Sequence, residues 1–105
     1  METIKLNEII SLERQSGNQW TATVWMDHPS GDLADIAYEK GDLSEKDWEE
    51  GNYPDDLLKA GDQMIIEWIN EEVAEALGKE VEVISKKPKS FSDYRGYTVD
   101  LVIHQ

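Results

Sequence analysis

Two spacings of apolar residues divide this chain and limit what it can fold into. Toward both ends apolar side chains fall on alternate positions, the period of a half-buried strand, while residues 62–77 carry them three and four apart, the period of a helix. In residues 3–13 the even positions Ile4, Leu6, Ile10 and Leu12 are apolar and Glu8 breaks the series, which reads as a first strand. Ser16, Gly17 and Asn18 supply a turn, after which Trp20, Ala22, Val24 and Met26 alternate with Thr21, Thr23 and Asp27. The two segments make an antiparallel hairpin. Trp25 falls on the polar side of the second strand, so another element must cover it or it stands as a candidate interface residue.

The centre of the chain is punctuated rather than periodic. Gly31-Asp32, Gly41-Asp42, Gly51-Asn52 and Gly61-Asp62 recur at ten-residue intervals. Glycine tolerates the left-handed conformation that closes a helix, and Asp or Asn accepts hydrogen bonds from the free amides of the next segment. Each pair is therefore expected to end one short element and begin another. The segments between them are otherwise dissimilar, so this is repeated turn chemistry and not duplication. Ser44 with Asp47 resembles a capping box and predicts a short helix over 45–50, stopped by Gly51. Pro54, with Asp55 and Asp56 at a helix start and Lys59 near its end, predicts a second short helix. In 62–77 the stripe Ile65, Trp68, Ile69, Val73, Ala76 and Leu77 opposes Glu67, Glu71, Glu72 and Glu75, and Gly78 closes the helix.

Residues 33–40 fit both periods: Ala34, Ile36 and Tyr38 alternate, while Leu33, Ile36, Ala37 and Lys40 could line a helix. The turn residues Pro29, Ser30 and Gly31 directly after the second strand favour a third strand there. Val81 and Val83 predict a further strand, 86–96 a polar connection around Pro88, and Tyr97, Val99, Leu101 and Ile103 a final strand. The expected fold is α+β: an antiparallel sheet of about four to five strands with a main amphipathic helix 62–77 and short acidic helices on one face. Residues 1–105 read as a single compact domain with an acidic central region, 27–75.

That region holds almost all of the charge. It contains sixteen acids against Lys40, Lys46 and Lys59, in a chain of net charge -13. Charge so localised points to a partner with a basic surface. Acidity alone would also suit a disordered chain, but 39% apolar residues with four Trp in periodic positions favour folding. An acid-rich surface as an adaptation to high salt is weighed against eight Lys to two Arg and the large aliphatics that are kept. There is no cysteine, hence no disulfide and no thiolate metal site. The first residues lack a basic start leading into an apolar run, and no long apolar span occurs, so a cytoplasmic protein without membrane contact is expected.

Catalytic signals are weak. His28 and His104 lie far apart and form no spaced ligand pair; His28 beside Pro29 reads as a turn residue and His104 as C-terminal surface. Ser30 lacks the glycine-flanked elbow of a hydrolase nucleophile, no phosphate loop is present, and no acidic run has the ligand spacing of a calcium loop. Neither an enzyme nor a metal or other cofactor is expected. Lys86, Lys87, Lys89 and Arg95, near Phe91, Tyr94 and Tyr97, could stack on a base. Against the overall charge they read as a loop that pairs internally with acids, so direct nucleic-acid binding is disfavoured.

The function expected is a small acidic inhibitor that blocks a basic nucleic-acid-binding protein or nuclease by presenting a DNA-like negative surface. In size and charge the chain is similar, in general character only, to phage inhibitors of restriction or CRISPR nucleases. The partner-binding residues expected are Asp42, Glu45, Asp47, Trp48, Glu49, Glu50, Tyr53, Asp55, Asp56, Glu71 and Glu75. The alternative is an immunity-type or adaptor protein that caps a basic partner without mimicry, with Trp48, Tyr53 and Trp25 as anchors and acids as a rim. Trp48 fits core packing equally well. A domain whose acids serve solubility alone stays open, and monomer and homodimer both satisfy the apolar pattern.

Overall fold

The computed structural model of the chain describes residues 2–91 and 95–104. Six strands and three helices follow in the order β1 (Thr3–Lys5), β2 (Ile10–Ser16), β3 (Gln19–Trp25), α1 (Ser30–Glu39), α2 (Glu45–Glu50), α3 (Asp55–Leu77), β4 (Val81–Val83), β5 (Lys89–Phe91) and β6 (Gly96–Ile103). The fold is α+β, with every strand pairing antiparallel in the order β1-β2-β3-β6-β4, and β5 adjoining β6 in line with β4. The sheet thus exceeds the expected strand number. Both gains arise from short pieces: β5 lies inside the segment read as a polar connection, and the segment 3–13 is two strands instead of one. Glu8, which broke the alternation, sits in the turn between them. There the Asn7 carboxamide oxygen accepts from the amides of Ile9 and Ile10, both at 2.8 Å, which turns the chain through 180° and ends the strand.

Alternation on β2, β3 and β6 puts Ile10, Leu12, Trp20, Ala22, Val24, Tyr97, Val99, Leu101 and Ile103 on one face. On that face lies α3, which contributes Ile65, Ile69 and Val73, all fully buried. Each such side chain removed from water is worth about 1.5–3 kcal/mol, so this contact dominates the core. Trp68 and Leu77 flank it half-buried, Ala76 is exposed, and Glu67, Glu71 and Glu75 face solvent as the stripe implied.

Three readings of the central region need correction. Residues 33–39 are helical, within α1, with Lys40 as its C-cap, and the segment 33–40 is not a strand. The reason is tertiary: as a helix the segment buries Ala34 and half-buries Leu33 and Ala37 on one side, toward α3, and leaves Ile36 exposed. Lys40 and Gly41 then close α1 with the amides of Gly41 and Asp42 donating to Tyr38 and Ala37. The helices expected on either side of Gly61 are one helix, α3, of 23 residues. The Gly-Asp and Gly-Asn pairs also divide into kinds: Gly41 and Gly51 take left-handed conformations at helix ends, whereas Gly31 is in the first turn of α1 and Gly61 is buried inside α3.

Gly61 is there for space. A β-carbon on it would stand 2.9 Å from Nδ1 of His28 and 3.1 Å from the backbone nitrogen of Ser30, because the imidazole lies directly on the helix backbone. Glycine in a helix interior costs up to about 1 kcal/mol relative to alanine. Gly61→Ala should nevertheless lower stability by about 1–3 kcal/mol through overpacking, while Gly31→Ala, with nothing near its β-carbon and an ordinary φ, should raise it by about 0.4–1 kcal/mol. Urea unfolding of the two variants measures both signs; a raised midpoint for Gly61→Ala would contradict the packing described.

Candidate functional site

Ten of the eleven residues expected to bind a partner are exposed or half-buried acids and aromatics on α2, its flanks and α3, and the eleventh, Asp42, is exposed just beyond α1. Ser44 caps α2, accepting from the Asp47 amide at 3.1 Å, and Gly51 ends it in the left-handed conformation. Within this single turn and a half Glu45, Glu49 and Glu50 are exposed and Asp47 half-buried. Asp55 and Asp56 open α3 and are exposed. These residues are brought together by chain continuity. Glu71 and Glu75 are not part of that group, since Glu71 lies fifteen residues beyond Asp56 on the same helix, about 22 Å along its axis. With Glu67 they make a separate row at four-residue spacing.

Trp48 is half-buried and outside the sheet core. Its ring packs on Tyr38, with centroids 4.5 Å apart, and its Nε1–H donates to Asp35 Oδ1 at 2.7 Å. Trp48 therefore ties α2 to α1, and through α1, which packs on α3, to the rest of the molecule. Trp25 lies elsewhere, on the sheet face opposite α3. It is 51% exposed and meets Phe91 edge to face at 4.8 Å. Gly96 pairs with both residues across the sheet, and a β-carbon on it would stand 2.8 Å from Cε2 of Phe91, so the two aromatics fill the space above the glycine.

The acids are largely uncompensated. Among the described residues Arg14 pairs with Glu2, and the other acids met by a basic side chain are Asp62, beside the His28 imidazole, and Glu82, beside that of His104. None of Lys40, Lys46 or Lys59 pairs with an acid. Among the described residues Lys86, Lys87, Lys89 and Arg95 pair with no acid either; Asp93 and Tyr94, in the same loop, lie outside the described residues. Position sharpens the point. Asp32, Glu45, Asp47, Asp55 and Asp56 occupy first turns, where the helix dipole favours negative charge. Glu39, Glu49, Glu50 and Glu75 occupy last turns, where it disfavours them, and no helix carries a basic residue in its last turn. Glu45 with Glu49, Glu67 with Glu71 and Glu71 with Glu75 are like charges four apart, each unfavourable by about 0.2–0.5 kcal/mol.

Sequence reasoning missed a cleft of about 640 Å³ where the β3–α1, α2–α3 and β4–β5 connections meet the start of α3. His28 is on its floor, more than the turn residue expected. Its Nε2 donates to Asp62 Oδ1 at 2.8 Å, its Nδ1 accepts from the Ser30 amide at 3.1 Å, and its ring packs against Tyr97 with centroids 5.6 Å apart. Tyr53, among the expected residues, forms part of the wall. The only trace of this site in the sequence is a glycine inside a helical stripe, which signals a close approach as readily as a turn.

Among the described residues no three acidic or imidazole side chains are grouped to hold a metal ion, and no helix is long and apolar enough to cross a membrane. No protein-family profile, curated protein or solved structure matches this chain.

Acids set against helix dipoles and against each other make stability and charge separable. Glu49→Lys and Glu75→Lys each replace a like-charge pair by a favourable one and reverse the dipole term, so each should raise stability by about 0.5–1 kcal/mol at low salt. Thermal melting at low and high ionic strength reads this, and the gain should shrink as salt screens it.

Proposed function

We propose that this protein is a small acidic inhibitor that occupies the basic groove of a nucleic-acid-binding protein, a nuclease above all, in place of the phosphate backbone, as anti-restriction and anti-CRISPR proteins do. The observation that carries the reading is the placement of Glu39, Glu49, Glu50 and Glu75 in last turns without an ion pair to any described cation. Acids kept for solubility alone could occupy neutral positions. Acids that lower the stability of their own helices need another return, and attraction to a basic surface supplies one.

Density supports a distributed array over a single row. Duplex DNA carries one charge per about 1.7 Å of axis. Glu67, Glu71 and Glu75 follow one another at about 6 Å along α3, roughly half the density of a single DNA strand, so the acids of α2 and the first turn of α3 have to contribute. The acids of α2 stand on a short helix held by a side-chain cap and by Trp48, and Asp55 and Asp56 open the long helix α3, which gives a fixed array. A fixed array loses less entropy on docking than a mobile tail.

The second reading, a cap on a basic partner without mimicry, draws on the half-exposed Trp48 and Tyr53 between acids. The two are separated by capture of partners from host lysate on the immobilised protein, followed by competition. Mimicry expects a nucleic-acid-binding protein that duplex DNA and moderate salt release. It also expects Glu45, Glu49, Asp55 and Asp56 to weaken binding cumulatively when reversed to Lys, by about 0.5–1 kcal/mol each. A partner indifferent to DNA, with one loss of about 2 kcal/mol or more from Trp48→Ala or Tyr53→Ala, would replace mimicry by the aromatic-anchored cap.

A further inference from the structure

The cleft beside the acidic helices has a floor with unused hydrogen-bonding capacity. Asp62 gives one carboxylate oxygen to His28, while Oδ2 makes no hydrogen bond among the described residues, and the side chain is only 17% exposed. The ring does not cancel that charge. Because the Ser30 amide donates to Nδ1, this nitrogen carries no proton, and the imidazole is the neutral tautomer with its single N–H on Nε2. Ser30 itself is 7% exposed, lines the same cleft, and its hydroxyl makes no hydrogen bond to any described residue. An uncompensated carboxylate oxygen and a free hydroxyl thus face one cavity, with Tyr53, Leu58, Pro88 and Tyr97 as its walls.

A carboxylate partly removed from water calls for a cation, and apolar and aromatic walls suit a cation with a long apolar stem and a flat head. Arginine fits both demands: its methylenes lie along Leu58 and Pro88, its guanidinium stacks on a tyrosine ring, and its fan of donors reaches a carboxylate and a hydroxyl together. We propose that this cleft receives an arginine side chain of the basic partner, with Asp62 as its counter-ion and Ser30 as a second acceptor. The inference rests on the basic partner proposed above and adds an anchor to it. Position favours this, because Tyr53 lies in the connection between the acid-bearing helices α2 and α3, so the cleft borders the acidic array. Lys87 stands on the rim as an exposed cation, and its effect has a sign that separates a bound cation from a bound anion.

The test uses Nα-acetyl-L-arginine methylamide titrated into the 15N-labelled full chain, with the citrulline analogue, equal in shape and neutral, as the comparison. Saturable shifts at Ser30, Tyr53 and Asp62 are expected, with the citrulline analogue at least about tenfold weaker. Asp62→Asn, which keeps an acceptor for His28, should weaken the arginine probe by a similar factor, with folding checked by circular dichroism. Lys87→Ala should strengthen it. Absence of saturation, equal binding of the citrulline analogue, or weaker binding in Lys87→Ala would overturn the proposal, the last by identifying an anion site. Because the probe reports on the cleft in the isolated protein, its result is independent of lysate capture: capture without probe binding rejects the arginine anchor and leaves the inhibitor reading, and probe binding without capture does the reverse.

Discussion

The imidazole of His28 rests on the backbone of α3 at Gly61, and the arrangement of the helical layer follows from that contact. The ring occupies the place a side chain at position 61 would take, one nitrogen bonds the carboxylate of Asp62 in the next position, and the other receives the first amide of α1. One residue in the β3–α1 connection thereby sets where α1 begins and how it crosses α3. The close approach also explains why α3 tolerates a glycine near its centre, since the lost helix propensity is offset by two hydrogen bonds and a ring contact with Tyr97.

From that anchor the acidic array is positioned in steps. α1 packs on α3 through Ala34, Trp48 ties α2 to α1 through Asp35 and Tyr38, and Gly51 and Tyr53 lead back to the start of α3. The hydrophobic centre of the molecule lies between α3 and the sheet, while α1 and α2 are carried at its side with little apolar burial of their own; Ala34 on α1 and Leu43 in the α1–α2 connection are the buried apolar residues there. Elements with small cores are held mainly by local bonds. This makes the unfavourable placement of Glu39, Glu49 and Glu50 more telling, because it falls on the segments with the least stability to lose.

Elsewhere the sheet shows ordinary protection against unwanted pairing. The outer strands β1, β4 and β5 are each three residues long, and the β4–β5 side of β6 is interrupted where Ser85 turns back to bond the Asp100 amide. Short and broken edges offer little template for another strand. The exposed Trp25 and the half-buried Phe91 meet edge to face over a glycine on the open face of the sheet.

Local pattern was sufficient for much of this architecture. The alternation in β2, β3 and β6, the helix 45–50 between Ser44 and Gly51, and the apolar stripe of Ile65, Ile69 and Val73 were all legible, because each depends on residues within a turn or two of one another. So was the concentration of acids, although the division between the α2 group and the row at Glu71 and Glu75 required knowing that α3 is unbroken. The sequence alone thus determined the α+β composition, the core-facing residues of sheet and main helix, and a centre of uncompensated negative charge. Tertiary structure decided that residues 33–39 are helical, that Gly61 lies inside a helix, and that Ser30, Asp62, Tyr53 and Lys87 share a cleft. The physical reason is one of range: a glycine at a turn and a glycine under a distant imidazole look alike locally, and only the packing of His28 against α3 distinguishes them.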